Sequence, residues 1–449
     1  MDVIVDFGAK GDGKTDDTQA IKNAIASRKP LIFPAGTYIM NDKLILDGAT
    51  TSNLSWEGAG STTTIIKFTN IALTNLVERI NRASSNFRIK GITFQGFGKT
   101  VGNCNGFVSE YGGRSLSYNL RMEDVAVTDV SENGFVVTDW FQQAWVGCYA
   151  RHIGGDGFHI GGDQSSSFIG SGSFSSGIDG YAWWFYSGSP FLQGLNVGDS
   201  SNGLKFGTPA SHPYGTKYCF PTIIGLNVES IITAHGIGLY FERGSSPNFM
   251  VGVVIYAYQV AALYGIYFNY LGNAAIMSKM PTIIASSGGS FQSKIYINGA
   301  STNGSLVFFE PVASTDFGGS AAKRYIEIKS DPSNSVLFER VITDQSFKNN
   351  GALYYKSKVI TSSVNIRRNS GTQDDNVLLV DATNRNITIS LDFASYMADR
   401  VFTIKRIDSS TNTVTITSYT SNFDGAANIT LSPLQKVKLI SNSSKWYII

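Results

Sequence analysis

The sequence predicts an all-β chain: a parallel β-helix solenoid with an N-terminal capping helix and a small C-terminal β-sandwich-like domain. Three observations carry this. A polar residue, a glycine and an apolar residue recur as NGF at 133–135, DGF at 156–158, DGY at 179–181 and NGL at 202–204, so Gly134, Gly157, Gly180 and Gly203 lie 23 residues apart. That period is too short for a propeller blade or a helical hairpin and suits one coil of a β-helix. Only 16% of the 449 residues are charged while 47 are glycine, a balance of short strands and tight turns. After residue 28 strongly amphipathic helical patterns are almost absent. The expected organisation is an N-terminal strand and capping helix over 1–28, the β-helix over 29–345 and a C-terminal all-β domain over 346–449.

The opening segment needs separate justification, because FGAKGDGKTDD at 7–17 contains the pattern G-x-x-x-x-G-K-[ST], and VIVDF before it and TQAIKNAIAS after it read as strand and helix. LILD at 44–47 even resembles a magnesium-binding strand. A phosphate cradle, however, needs bare N–H groups at a positive helix end. Asp16 and Asp17 stand in the first turn, and Asp16 with Gln19 has capping-box spacing, so carboxylates hold the place an anion would need. The helix from about Asp16 to Ser27 instead carries Ala20, Ile21, Ala24 and Ile25 on one face, enough to cover the open end of a first coil.

Within the coils, Asn or Asp before Gly suits a corner. Phe135, Phe158, Tyr181 and Leu204 are expected to form one inward column, and Met122, Trp145, Phe168 and Phe191 another. The nearly apolar run from Met250 to Phe268 is rich in β-branched residues and tyrosine, so it reads as buried strands rather than a membrane span. A net charge of +2 without a basic run argues against nucleic acid. Cys104, Cys148 and Cys219 lack ligand spacing, so no metal site, cofactor or disulfide framework is expected. In the C-terminal region NTVTIT and KVKLIS alternate strictly, and Gly425 follows Asp424 in a turn.

VDFGAKGDGKTDDTQAIKNAI, LIFPAGTY at 31–38 and WEGAGSTTTI at 56–65 resemble the opening segment of the pectate-lyase-like right-handed β-helix superfamily, and within it bacteriophage tailspike depolymerases. Residues 402–449 resemble a small all-β module at the ends of phage tail chains, which implies a trimerising or glycan-binding role. The resemblance implies a homotrimer in the virion, joined to the phage tail or baseplate through a segment outside this sequence. It would bind bacterial surface polysaccharide and hydrolyse it endolytically; a polysaccharide lyase and a non-catalytic receptor-binding fibre are the alternatives.

Chemistry on a β-helix is sought on outward side chains. Strand alternation places positions two, four and six beyond each repeat glycine outward. This gives Trp140, Trp184, Tyr186 and Tyr240 as platforms for sugar rings, with His159, Asp163 and Lys205 as polar partners; a slip of one residue would bury the rings instead. Hydrolysis needs two carboxylates. Glu242 and Glu229 are the candidates with least structural excuse, and Arg243 stands beside them to orient a carboxylate or bind an acidic sugar. Asp156 and Asp179 share a column on adjacent coils, although Asn133 and Asn202 fill the same corner position. For a lyase, His159, Lys205 or Tyr240 would be the base and Arg243 the cation.

Overall fold

In the computed structural model, residues 1–449 are described apart from 49, 82–84, 111–116, 139, 162–165, 175–176, 178–179, 214, 259, 271–273, 278–281, 287–289, 299–304, 309–323, 329–356, 367–376, 395–400, 420–422 and 443. Asp163 and Asp179 therefore lie outside the described residues, as does the expected boundary at 345–346. The chain divides into two compact units, Met1–Gly351 and Ala352–Ile449.

The first unit is a parallel β-helix of about eleven coils. A typical coil runs Ala144–Val146, bends at Gly147, continues as Tyr149–Ile153 and turns into Phe158–Ile160. These three stretches define a first, second and third face. The first two merge into one bent 21-stranded sheet, and the third face is an 11-stranded sheet. The bend takes a left-handed residue in seven of the coils: Gly91, Asp124, Gly147, Gly170, Gly194, Gly225 and Gly252 all have φ between +53° and +67°. Glycine enters that region without a Cβ penalty, and Asp tolerates it.

The interior is a set of stacked rings. Phe135 stacks on Phe158 at 4.8 Å and Phe158 on Trp183 at 3.6 Å, with Trp145 edge-on at 5.2 Å from Phe135. Two expected core positions are corrected. Phe158 pairs with Trp183, so Trp183 and not Tyr181 continues the inward column. Phe168 pairs with Leu192, so Phe191 turns partly outward. The reason is unequal spacing: from Phe168 to Trp183 the chain has two residues more than from Trp145 to Phe158, and from Trp183 to Leu192 one fewer than from Phe158 to Phe168. A slip of two keeps strand parity, whereas a slip of one reverses it.

The capping helix spans Thr18–Ala26 and buries Ile21 and Ala24. The expected Asp16–Gln19 capping box is replaced by another arrangement. Asp17 is the N-cap residue and makes no side-chain cap bond. Its carboxylate accepts from the loop N–H groups of Lys10 (2.6 Å) and Gly11 (3.1 Å), while Asp12 accepts from those of Lys14 and Thr15 (2.9 and 2.7 Å). Side-chain carboxylates thus occupy donors that a phosphate-binding loop would offer its ligand.

Met250–Phe268 forms parts of the strands Phe249–Val251, Val254–Tyr258 and Ala261–Phe268. Among the described residues no helix is long and apolar enough to cross a membrane. The second unit has a five-stranded and a four-stranded sheet sharing one core around Phe402, Ile404, Ile416 and Trp446. Its first six strands pair in parallel and only the later ones antiparallel, a distinction that alternation in sequence does not carry.

Candidate functional site

The third face carries the site, because its outward column changes character along the solenoid. Val108 pairs with Val136, Val136 with His159, His159 with Trp184, Trp184 with Lys205 and Lys205 with Tyr240. Two valines thus form a floor, and an imidazole, an indole, an ammonium and a phenol follow at strand spacing.

At the corner before this face stands an amide ladder. Asn105 Nδ2 donates to Asn75 Oδ1 (3.1 Å) and Asn133 Nδ2 to Asn105 Oδ1 (3.2 Å), and Asn133 Oδ1 accepts from the Asp156 N–H (2.8 Å). Asp156 ends this run with a carboxylate, only 8% exposed. One oxygen accepts from the Tyr181 N–H at 2.7 Å, and the other lies 3.0 Å from His159 Nδ1. A carboxylate only accepts, so in the neutral imidazole Nδ1 keeps the proton and Nε2 presents its lone pair.

His159 packs against Trp184 (4.8 Å) and Tyr186 (4.3 Å), and those two rings meet at 4.9 Å. A short hairpin closed by Thr208 and Lys217 brings His212 against the same rings, at 5.6 and 4.7 Å. Burial, then the neighbouring His159 and Lys205, lowers the His212 pKa below its ordinary value. Trp184 is fixed by its indole N–H, which donates to the Gly207 carbonyl at 2.9 Å.

One coil on, Lys205 Nζ lies 4.2 Å from the Trp184 ring centre, 5.4 Å from those of Tyr181 and Tyr240, and 3.5 Å from Glu242 Oε1. Glu242 is 4% exposed, and its other oxygen accepts from Asn269 Nδ2 at 3.0 Å. Burial and the nearby carboxylates push the Tyr181 and Tyr240 phenols well above the usual tyrosine range.

The expected outward placement fails for Trp140, and Tyr186, just past the end of its strand at Phe185, lines the concavity while only 6% exposed. Trp140 is 1% exposed, and its indole N–H donates to Ser109 Oγ. The third-face strand ends at Val137, so position six already belongs to the next strand, Trp140–Phe141, and alternation does not count across the turn. Glu229 is exposed on a second-face strand, Asn227–Ile231, whereas Glu242 follows the third-face strand Ile237–Phe241; the two do not share a face. Arg243 is exposed, with its guanidinium 4.9 Å from the Tyr270 ring.

A concavity of about 440 Å³ sits over the valine floor, bounded by the Asn ladder on one side and Tyr186 on the other, with His159 at one end. Three residues not selected from the sequence line its other end: Glu78, Arg79 and Glu110. Glu78 is paired with Lys43 at 2.5 Å. Arg79 is 3% exposed, donates to Ser109 Oγ at 2.7 Å and lies 5.6 Å from the Trp140 ring. Glu78 pairs in register with Val108 and Glu110 follows two residues later, which puts their Cα atoms roughly 8 Å apart by strand spacing. The NGF at 105–107 held the signal, since Val108 and Glu110 are two and four residues beyond Gly106. The preceding coil reads NLV at 75–77, without the glycine that would reveal Glu78. Among the described residues no cluster of His, Cys, Asp and Glu could hold a metal ion.

Comparisons with known proteins agree with this architecture at its start. Residues 2–107 match the family model "Rhamnogalacturonase A/epimerase, pectate lyase-like". Alginate lyase 7 of Azotobacter vinelandii is 35% identical over 147 residues, 29% of this chain and 17% of that protein. The preneck appendage protein of Bacillus phage PZA is 29% identical over 145 residues, 29% of this chain and 16% of its own. The match thus spans about a sixth of either relative (17% and 16%). Among solved structures, the pre-mature bacteriophage phi29 gene product 12 aligns with a TM-score of 0.46 at 14% identity, covering 94% of this chain and 67% of that one. Tailspike protein 3 of bacteriophage CBA120 gives 0.42 at 12%, covering 100% and 68%.

Proposed function

We propose that this chain is a phage tail protein that binds an acidic bacterial surface polysaccharide on its third face and cleaves it by β-elimination. The observation that carries the reading is the Asp156–His159 pair, 3.0 Å apart, opening onto the concavity. His159 Nε2 takes the proton beside the uronate carboxylate, while Arg79 provides positive charge beneath the groove. The C–H electrons form the new carbon–carbon double bond, the glycosidic C–O bond breaks, and the departing oxygen takes a proton from the Tyr186 phenol. The names of the relatives support this chemistry. One is an alginate lyase, and several are mannuronan C5-epimerases of Azotobacter vinelandii. Appendage proteins of two Bacillus phages support a place in the virion tail, acting at the cell surface. The homotrimer belongs to the same proposal and is checked by the mass in solution.

Hydrolysis, the reaction first expected, keeps one supporting observation. Glu78 and Glu110 line the concavity at roughly 8 Å between Cα atoms, compatible with an inverting pair. Asp156 and Glu242 serve that role poorly: three strand steps and about five residues along the strand separate their backbones by roughly 20 Å.

The deciding experiment incubates the protein with alginate and a panel of capsular polysaccharides and follows both polymer size and the ultraviolet absorbance of unsaturated uronate. Shortening with absorbance is the expected result. Shortening with new reducing ends and no absorbance supports hydrolysis at Glu78 and Glu110 and refutes elimination. Binding without shortening supports a receptor-binding fibre.

A further inference from the structure

Beyond Lys205 the third face continues as two parallel outward rows. In one, Tyr240 stacks on Tyr267 at 4.9 Å and Tyr267 on Tyr296 at 5.5 Å, and Tyr264 flanks both later rings at 5.2 and 4.6 Å. In the other, Asn269 Nδ2 donates to Glu242 (3.0 Å) and Asn298 Nδ2 to Asn269 Oδ1 (3.3 Å). All of these rings are partly exposed. Each ladder contact uses one of the two hydrogens on an amide nitrogen. The rows therefore present phenol hydroxyls and amide groups at one set per coil, a pattern for hydrogen-bonding a polyhydroxylated chain. On the first face one outward column reads Val146, Ile169, Gln193 and Ile224, without a ring, and the other carries Phe191 and Phe249 two coils apart, with Thr222 between them.

We infer that these rows are a second polysaccharide-binding stretch, a track that holds the polymer on one side of the reactive concavity. This rests on the third face being a polysaccharide site. Continuity supports it: His159, Trp184, Lys205, Tyr240, Tyr267 and Tyr296 are consecutive partners in one column, so track and concavity share an unbroken surface. Five strand steps from His159 to Tyr296 span roughly 24 Å, long enough for several sugar units. The chain then runs along the solenoid axis, and affinity grows with polymer length until the track is filled.

The test is affinity electrophoresis through gels containing alginate or a capsular polysaccharide, with competition by size-fractionated oligosaccharides of the polymer that retards the wild-type protein. For Tyr267→Ala the preference for polymer over a trisaccharide should fall about tenfold, close to 1.4 kcal/mol, and Tyr267→Phe should recover part of it. If Tyr267→Ala lowers the melting temperature, Asn298→Ala at the far end of the ladder reads the same comparison. An unchanged preference, or equal losses for polymer and trisaccharide, overturns the track and leaves the reactive concavity standing. A change in solution mass with Tyr267→Ala overturns it in favour of contact between copies of the chain. If no polymer retards the wild type, the polysaccharide reading itself fails and the track falls with it.

Discussion

Replacing Asp156 by asparagine separates the structural and chemical duties of one carboxylate. The amide oxygen of the substituted side chain can still accept from the Tyr181 N–H, now bonded at 2.7 Å, so the corner keeps its backbone bond. Loss of stability should stay near 1 kcal/mol, a charged acceptor being exchanged for a neutral one. The other end of the side chain becomes an NH₂ group, 3.0 Å from Nδ1 where an oxygen stood. It donates, so Nδ1 must accept, and the proton moves to Nε2, where the base lone pair was needed. The expected outcome is a fall in kcat of about 10²–10⁴ with little change in polymer binding. Asp156→Ala, by contrast, removes both contacts and leaves the part-buried Tyr181 N–H without this acceptor, costing about 1–3 kcal/mol as well. The assay pairs urea unfolding with the initial rate of unsaturated-product formation. An Asp156→Asn variant within threefold of the wild-type rate, at unchanged stability, would refute the assignment of His159 as the base.

Other outcomes follow from the same contacts. Phe158→Ala empties a site between Phe135 at 4.8 Å and Trp183 at 3.6 Å, and urea unfolding of the β-helix should show a loss of about 3–5 kcal/mol. His212 has its pKa lowered first by burial and then by the neighbouring His159 and Lys205, so below its unfolded value of 6.5 the unfolded chain binds the proton more readily and stability drops as the pH is lowered. His212→Gln should flatten that part of the stability–pH curve, and an unaltered slope would remove His212 as its source. In the second unit, Asp408→Ala leaves Arg406, 2% exposed and bonded to Asp408 at 2.9 Å, buried without its counter-charge; calorimetry should register about 3–5 kcal/mol. Arg406 holds the Asp408 carboxyl below its ordinary 3.8, so this contribution is present above that pH and is lost as pH falls through the depressed value.

How far the site was legible in sequence depended on whether a count stayed inside one strand. His159, Trp184, Lys205 and Tyr240 were placed outward and do form one register column, because the two-residue insertion before Trp183 preserved parity. Trp140 was misplaced because a turn intervened between it and the glycine from which it was counted. Glu229 and Glu242 are near in sequence yet sit on different faces, and Glu78 and Glu110 are 32 residues apart yet line one concavity. The link between Asp156 and His159 was within reach: three residues apart around a DGF corner, they are held together by the strand's own geometry.

The chain's own order of residues therefore determined the solenoid. A repeat of about 23 residues, polar–Gly corners and alternating apolar positions act locally, and each coil stacks on the last by the same backbone bonding. It also determined that the opening glycine loop is no phosphate cradle, because the carboxylates that occupy its N–H groups lie within the same few residues. Only the tertiary structure decided which outward residues meet. Contacts across the third face join side chains one coil or more apart, and every insertion in an intervening turn changes which residues are neighbours. Their partners depend on the summed lengths of the coils between them, a quantity that no local pattern records.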